Sequence, residues 1–272
     1  MVRSALNFIS AILLIGMFLL AGCSTELNTK ELQDKVIQAN SNIRTYSLDL
    51  KMNTNSIIIG DESLGQRMEI KSESNTNGAV DRTNKKMALK GKVDASGILI
   101  EVDSYIVNDY LYTKSLDMWV KTKLDQDTWA QQDQISRLVE LARSGDIERL
   151  EDEGTYYVIK INPDLKKVAE LALKQQQQSE LLTQNMDLGN AIKSYSAIYW
   201  INKETFVIEK SKIDLKMVVD IGNQDQTNAN QGKMELDSSI ELKISNINQD
   251  VIITLPEEAN DAIDFVELNG FQ

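Results

Sequence analysis

The segment "TYSLDLKMNTN", residues 45–55, decides the expected fold of the chain. Its apolar residues Tyr46, Leu48, Leu50 and Met52 alternate with polar ones. Because successive side chains of a β-strand point to opposite faces, this period of two predicts a strand with one buried face. A sheet face of this kind must be covered by a second layer of the protein to exclude water.

The same alternation recurs along the chain and predicts an antiparallel sheet of about seven to ten strands. The pairs Asn108-Asp109 and Leu116-Asp117 predict turns between short strands. The later strands are predicted from Ile98, Ile100 and Val102; residues 155–161; Ile213, Leu215, Met217 and Val219; and Ile240, Leu242 and Ile244.

Three amphipathic helices are predicted around these strands. The first is capped by Asn28 or Thr29, and the second stops at Ser144-Gly145. The third begins at Asn162-Pro163, an N-cap residue followed by proline, and runs into Gln175–Gln178. Apolar stripes support the first two helices, at Leu32, Val36, Ala39 and Ile43, and at Ile135, Leu138, Val139 and Ala142.

Together, these elements predict one α+β domain. It consists of a curved antiparallel sheet with the helices on its concave face. One open question is whether the space between sheet and helices is a cavity or a fully packed core, because periodicity fits both.

The N-terminus has the layout of an export signal. Arg3 is followed by an apolar run over residues 11–20, which is short for a membrane-spanning helix of about 20 residues. Leu20-Ala21-Gly22-Cys23 resembles the lipobox of bacterial and archaeal lipoproteins. In that family the sulfur of Cys23 carries a diacylglyceryl group, and cleavage makes Cys23 the first mature residue. Two acyl chains are sufficient for stable membrane anchoring.

Cysteine usage and charge agree with an exported, tethered protein. Cys23 is the single cysteine, so lipidation gives a use to a thiol that has no disulfide partner within the chain. Without residues 1–22 the chain has 28 Lys and Arg against 41 Asp and Glu, a net charge of −13. A surface this acidic is repelled by nucleic acid and by anionic headgroups, so no nucleic-acid partner is expected.

The sequence does not favour an enzyme. The chain has no histidine, which excludes Ser-His-Asp and Cys-His arrangements, and it has no phosphate-binding glycine motif. Asp125, Asp127 and Asp133 could form a cation site, but acidic residues at a helix start are the favoured interpretation. Neither a metal nor a cofactor is expected. Aromatic residues such as Trp119 could line a lipid or glycan site, although sheet packing is the more typical role.

Several motifs together resemble the LolA-like superfamily, especially exported lipoproteins of the LppX/LprG type. They are an amphipathic helix entering "TYSLDLKM", then "YIVNDYLYTKSLDMWVKTKL", "YYVIKINPDLKKVAEL" and "YWINKETFVIEKSKIDLKM". The resemblance spans about residues 30–255. It implies a highly curved antiparallel half-barrel with helices covering its concave face, and an apolar cavity that holds acyl chains, such as palmitate, of a lipid or lipoprotein.

On this basis we expect a membrane-anchored lipoprotein on the extracytoplasmic face of the cell membrane, acting as a lipid or lipoprotein carrier or acceptor. Residues 1–22 are the expected signal peptide, 23–30 a lipidated tether, and 31–272 a single lipid-binding domain. The expected attachment site is Cys23. The candidate lipid-binding residues are Leu48, Leu50, Ile100, Val102, Leu215, Met217, Leu242 and Ile244.

Two alternatives are kept. The first is a non-enzymatic envelope sensor or protein-interaction module with a solid core, whose loops contact another envelope protein. The second, less favoured, is an exported hydrolase that uses carboxylates alone.

Overall fold

A computed structural model describes residues 27–60, 67–115, 117–124, 129, 132–169, 188–221 and 232–265. The predicted signal peptide, Cys23 and the glutamine run lie outside these described residues, as do Leu116 of the predicted turn, Asp125 and Asp127.

Twelve strands form one sheet. The strands are β1 (Thr45–Ile59), β2 (Arg67–Asp81), β3 (Lys86–Ala95), β4 (Ile98–Val107), β5 (Tyr110–Ser115), β6 (Met118–Lys123), β7 (Gly145–Arg149), β8 (Tyr156–Pro163), β9 (Ile192–Asn202), β10 (Ile208–Ile221), β11 (Gly232–Ser245) and β12 (Ile263–Asp264).

The strand order is β12-β6-β5-β4-β3-β2-β1-β11-β10-β9-β8-β7. Every described pairing between these strands is antiparallel except that of β12 with β6, which is parallel. The sheet is curved and its concave face carries the helices, so the predicted fold class is confirmed. The predicted turn at Asn108-Asp109 is also present, with both residues at positive φ.

Strand β1 lies in the middle of the sheet and defines its two faces. It pairs without a register shift with β2 on one side and with β11 on the other. Leu48 lies opposite Gly78 of β2 and Ile244 of β11, so these residues share one face. Leu48 and Ile244 are buried against the helices, which identifies this face as the concave one.

Three helices are described in full: α1 (Thr29–Ser41), α2 (Gln134–Ser144) and α3 (Leu188–Ala191). Helix α1 begins with a capping box in which Asn28 and Glu31 each bond the other's backbone N–H. Helix α2 ends at Gly145. The predicted cap and the predicted stop are therefore both confirmed.

The predicted start of the third helix is wrong by about two residues. Asn162 and Pro163 belong to β8, where Pro163 pairs with Gly145 of β7. Residues 165–169 are helical, and the Asp164 side chain accepts a hydrogen bond from the Lys166 backbone N–H at 2.9 Å. Proline is tolerated here because it stands at the end of the strand, where a missing donor disturbs the ladder least.

The sheet also has more strands than the sequence predicts. Strand β7 follows α2 directly, and its "GDIER" sequence has a single large apolar residue, Ile147, so alternation does not reveal it. Strand β12 has only two residues. Both lie at the edges of the sheet, where short strands with few apolar residues are common.

The packed core lies between the concave face and the helices α1 and α2. Tyr46 and Tyr199 of the sheet are fully buried there. Each further member has at most 7% of its surface exposed; they include Leu32, Val36, Ile43, Leu48, Val80, Met87, Ile106, Ile135, Leu138, Val139, Ala142, Ile159, Ile161, Leu242 and Ile244.

A buried ion pair joins the two helices to the sheet. Arg82, just after β2, places Nε 2.8 Å from Oδ2 of Asp133, the residue before α2. Its Nη1 donates to the carbonyl oxygens of Asn40 (3.0 Å) and Ile43 (2.7 Å), at the end of α1. The Tyr46 hydroxyl donates to the other Asp133 oxygen at 2.9 Å. This Arg82–Asp133 network therefore connects the start of α2, the end of α1 and the central strands.

The C-terminal segment covers part of the convex face. Tyr105 and Trp119 point away from the helices and pack against Ala259 and Ala262. Their ring centroids are 5.9 Å apart. These two aromatic side chains therefore pack on the sheet, which is the role that the sequence analysis favoured for such residues. The Trp119 Nε1 is buried and has no hydrogen-bond partner among the described residues.

Glycines allow neighbouring strands to approach closely in the curved sheet. A Cβ on Gly78 of β2 would collide with the carbonyl oxygen of Ala88 and lie 2.7 Å from Cδ2 of Leu89. A Cβ on Gly91 would lie 2.7 Å from the Thr76 hydroxyl. A glycine inside a strand often marks such a bend or close approach.

We predict that Asp133→Ala lowers the free energy of unfolding by about 3 kcal/mol or more, because the mutation leaves Arg82 as an uncompensated, largely buried charge. Chemical denaturation measures this change. The control is Glu101→Ala, which removes the exposed Lys92–Glu101 pair and should leave the free energy of unfolding nearly unchanged, because water and salt screen an exposed pair. Equal losses for the two variants would contradict a structural role for the network.

We also predict that Gly78→Ala lowers the free energy of unfolding by about 2 kcal/mol, since the added methyl group collides with backbone that cannot rotate away. Asn77→Ala, on the exposed convex face of the same strand, changes it by less than about 0.5 kcal/mol. A Gly78 variant as stable as the Asn77 variant would show that the sheet is not tightly bent at this point.

Candidate functional site

The helices α1 and α2 are too short to cover the whole concave face. Helix α1 has 13 residues and is about 20 Å long, whereas β1 has 15 residues and is about 50 Å long. Both helices pack together over the end of the sheet where β1 begins, as the Arg82–Asp133 network shows. The concave face therefore continues well beyond the packed core.

Apolar side chains occupy this continuation. The register places Met52, Val93 and Ile100 in one row across β1 to β4, with Ser74 between the first two. We call this surface the open strip. None of its members belongs to a hydrophobic cluster of the described residues or is packed against one. Its members are Met52, Met68, Ile70, Val93, Ile98, Ile100, Val102, Met118 and Val120.

Exposure along the open strip increases towards the ends of the strands. Ile100 and Val102 are half-buried. Met68, Ile98 and Met118, the residues at the starts of β2, β4 and β6, are 53%, 67% and 48% exposed. Large apolar side chains with this exposure and on one face form a surface that water covers at a free-energy cost.

The other half of the concave face is covered. Leu215 and Met217 of β10 pack against a second cluster that contains Leu141 of α2 and Val168. The remaining members of this cluster are Ala169, Ala191, Ile192 and Val219.

The eight candidate residues therefore share the concave face but have different surroundings. Leu48, Leu242 and Ile244 are only 2%, 4% and 5% exposed in the packed core, and Leu50 packs against it. Leu215 and Met217 lie under the second cluster. Ile100 and Val102 lie in the open strip. That these residues contact an acyl chain stays a prediction.

The most exposed members of the strip, Met68, Ile98 and Met118, are not among the eight candidate residues, although the sequence predicts Ile98 on one strand face with Ile100 and Val102. Each stands at the first or second position of a strand. Alternation indicates the face of such a residue but not whether a helix covers it. A large aliphatic residue directly after a turn, as in "SGIL" (residues 96–99), is the one local signal that could have indicated them.

Polar groups lie where α2 faces the sheet. Burial lowers the pKa of the Arg137 guanidinium, and interactions with Tyr195, Tyr46 and Tyr199 oppose this change. Burial also raises the pKa of Tyr195 and Tyr199, so both hydroxyls stay protonated at neutral pH. The Tyr199 hydroxyl donates to the Leu138 carbonyl oxygen at 3.3 Å. These groups connect helix to sheet at the border of the packed core.

A groove of about 550 Å³ lies mainly on the opposite, convex face. Its lining is polar and includes Asn53, Lys71, Glu73, Asp94 and Asp237. Charged side chains of both signs are poor partners for an acyl chain, because their desolvation is not compensated. The open strip is therefore the better candidate for an apolar ligand.

Within the described ranges, no group of three or more acidic or cysteine side chains could hold a metal ion. None of the helices in this part of the chain is long and apolar enough to cross a membrane.

A family model described as "Family of unknown function (DUF6612)" matches residues 28–264. No curated protein matches the chain. Among solved structures, the chain is similar to the lipoprotein LppX of Mycobacterium tuberculosis at 15% identity, with a TM-score of 0.44 and coverage of 84% of this chain and 100% of LppX. LprF from Mycobacterium bovis is similar at 12% identity, with a TM-score of 0.43 and coverage of 84% and 98%.

The first of these neighbours is a lipoprotein of the type that the sequence motifs resemble. With identities this low and TM-scores below 0.5, neither a ligand nor an activity transfers from them to this chain.

We predict that the candidate residues separate into two groups when truncated. Leu242→Ala lowers the free energy of unfolding by about 3 kcal/mol, because it leaves a cavity in the packed core. Ile100→Ala lowers it by about 1 kcal/mol, since half-exposed groups lose less contact. Chemical denaturation of both variants tests this. Equal losses would mean that the open strip is packed as tightly as the core.

Proposed function

The chain belongs to this family of unknown function, DUF6612, and we propose that it is a lipid-anchored, non-enzymatic protein that binds acyl chains on the open strip. One observation carries the proposal. Apolar side chains continue on the concave face across β1 to β6, outside the clusters that the described helices form.

The strip has suitable dimensions and chemistry. Neighbouring strands are about 4.8 Å apart, so the face from β2 to β6 is about 20 Å wide, the scale of a long acyl chain. Each methylene group removed from water contributes about 0.8 kcal/mol. A flexible chain follows a curved, irregular apolar surface better than a rigid ligand does. Side chains such as Ile100 and Val102 offer dispersion contacts without requiring hydrogen bonds.

The anchor brings this surface to its ligand. We propose that Cys23 is lipidated and holds the protein on the extracytoplasmic face of the cell membrane, as its lipobox supports. Helix α1 begins at Thr29, six residues after Cys23, so the sheet stays close to the bilayer. The strip would accept acyl chains of membrane lipids or lipoproteins from that bilayer, or deliver them to it.

A second function has its own support. The packed core buries Tyr46 and Tyr199 fully between sheet and helices, which supports this alternative. A sheet with a solid interior suits an envelope sensor or protein-interaction module, whose open strip would be covered by a protein partner instead of a lipid.

The experiment compares lipid binding by the anchor-free protein, residues 24–272, and its variants. Native mass spectrometry detects co-purified lipid, and a fluorescent palmitate analogue gives the affinity. We predict that Ile100→Glu combined with Val102→Glu weakens binding at least tenfold, because carboxylates must be desolvated beside the acyl chain.

The matched control is Lys90→Glu, which places a carboxylate on the exposed convex face of the neighbouring β3 and leaves binding unchanged. Circular dichroism confirms that each variant is folded. If the wild-type protein carries no lipid and does not bind the analogue, the lipid-binding proposal fails. In that case one stoichiometric protein captured from membranes would favour the interaction module.

A further inference from the structure

We propose that the β3–β4 hairpin inserts its tip into the interface of a lipid bilayer. Ile98 and Leu99 are the first two residues of β4, directly after the Ser96-Gly97 turn at this tip, and they are 67% and 62% exposed. Two consecutive large aliphatic side chains exposed to this degree beside a turn form an apolar surface that water covers at a free-energy cost. This inference goes beyond the proposed function, because a tip can insert whether or not lipid occupies the open strip.

Hydrogen bonds hold the tip of the hairpin in place. Ala95 and Ile98 pair across a two-residue turn in which Ser96 and Gly97 both have positive φ. The Gly97 N–H donates to the Asp94 side chain at 2.8 Å, and the Ser96 N–H donates to the Lys71 carbonyl oxygen of β2 at 2.9 Å. The turn is therefore held against β2, and exposure of the two aliphatic residues is a property of the fold.

Another exposed apolar residue lies beyond the hairpin on the neighbouring β2. In an antiparallel sheet alternate strands run in the same direction, so β2 and β4 both start towards this end. Met68 stands at the second position of β2, four residues beyond the level of Ile98 in the register, whereas Met118 lies level with Leu50. Seven large apolar side chains are exposed among the described residues, and three of them are Met68, Ile98 and Leu99. We call these three the apolar rim.

The arrangement fits a bilayer better than a protein surface. Ile98 points to the concave face and Leu99 to the convex face, so apolar groups lie on both sides of the hairpin. A medium that surrounds the tip can bury both, whereas a flat partner surface would cover one. Ile98 is also a member of the open strip, so an inserted tip makes that strip continuous with the acyl region of the membrane.

Charge supports an apolar mode of insertion. The basic groups behind the tip are paired, Lys92 with Glu101 at 2.8 Å and Lys71 with Glu69 at 3.3 Å. The full chain has a net charge of −12, which opposes electrostatic attraction to anionic lipid. Insertion should therefore depend on the aliphatic side chains and be insensitive to salt and to anionic lipid.

The test uses the full-length chain reconstituted in phosphatidylcholine vesicles. A thiol is introduced by Ile98→Cys and labelled with the fluorophore NBD, and lipids spin-labelled near the headgroup quench an inserted label. The matched control is Thr83→Cys, an exposed position in the β2–β3 turn at the other end of the sheet. The wild-type chain, labelled in the same way, gives the background from Cys23.

We expect the label at position 98 to have blue-shifted emission and to be quenched at least threefold more than the label at position 83. Adding Leu99→Asp to the Ile98→Cys chain should remove this difference. Salt at about 0.5 M, roughly five times the ionic strength at which the Debye length is already about 10 Å, should not. Equal quenching at the two positions, or quenching that requires anionic lipid, would overturn the inference. The Ile100→Glu and Val102→Glu substitutions should leave quenching intact. Insertion of the tip and lipid binding on the open strip can therefore fail independently of each other.

Discussion

The mismatch in length between helices and strands is the constraint on which this structure depends. A strand advances more than twice as far per residue as a helix does. Helices α1 and α2 therefore cover one end of a sheet whose central strand has 15 residues. The covered end becomes a packed core, and the other end keeps, on strands β1 to β6, apolar side chains without a described helix on them. One fold thus has an end that provides stability and an end on which the proposed binding surface lies.

The Arg82–Asp133 network determines which end is covered. It holds the start of α2 and the end of α1 against the beginning of β1, with Tyr46 as a third partner. Asn40 also holds the end of α1 against the sheet. Its side-chain oxygen accepts a hydrogen bond from the Ile208 N–H at 3.0 Å, beside the β9–β10 turn. With both helices fixed at this end, the starts of β2 and β4 towards the opposite end stay apolar and accessible, which is where the proposed functions are placed.

Local features of the fold could be predicted because their causes are local. The Asn28 cap, the Gly145 stop and the Asn108-Asp109 turn each depend on residues within a few positions. Features with distant causes could not be predicted. Arg82 and Asp133 are 51 positions apart, and no pattern connects them. The start of the third helix was displaced because pairing with β7 extended β8 through Pro163.

The sequence alone determined which side chains share a face. The period of two places Leu48, Ile100, Leu215 and Leu242 on one side of the sheet, as the register shows. Only the tertiary structure decided what lies on top of them: α1 and α2 over Leu48 and Leu242, the second cluster over Leu215, and no described helix over Ile100. The physical reason is that alternation records the direction of a side chain relative to its own backbone. Its cover depends on how far a helix from elsewhere in the chain can reach.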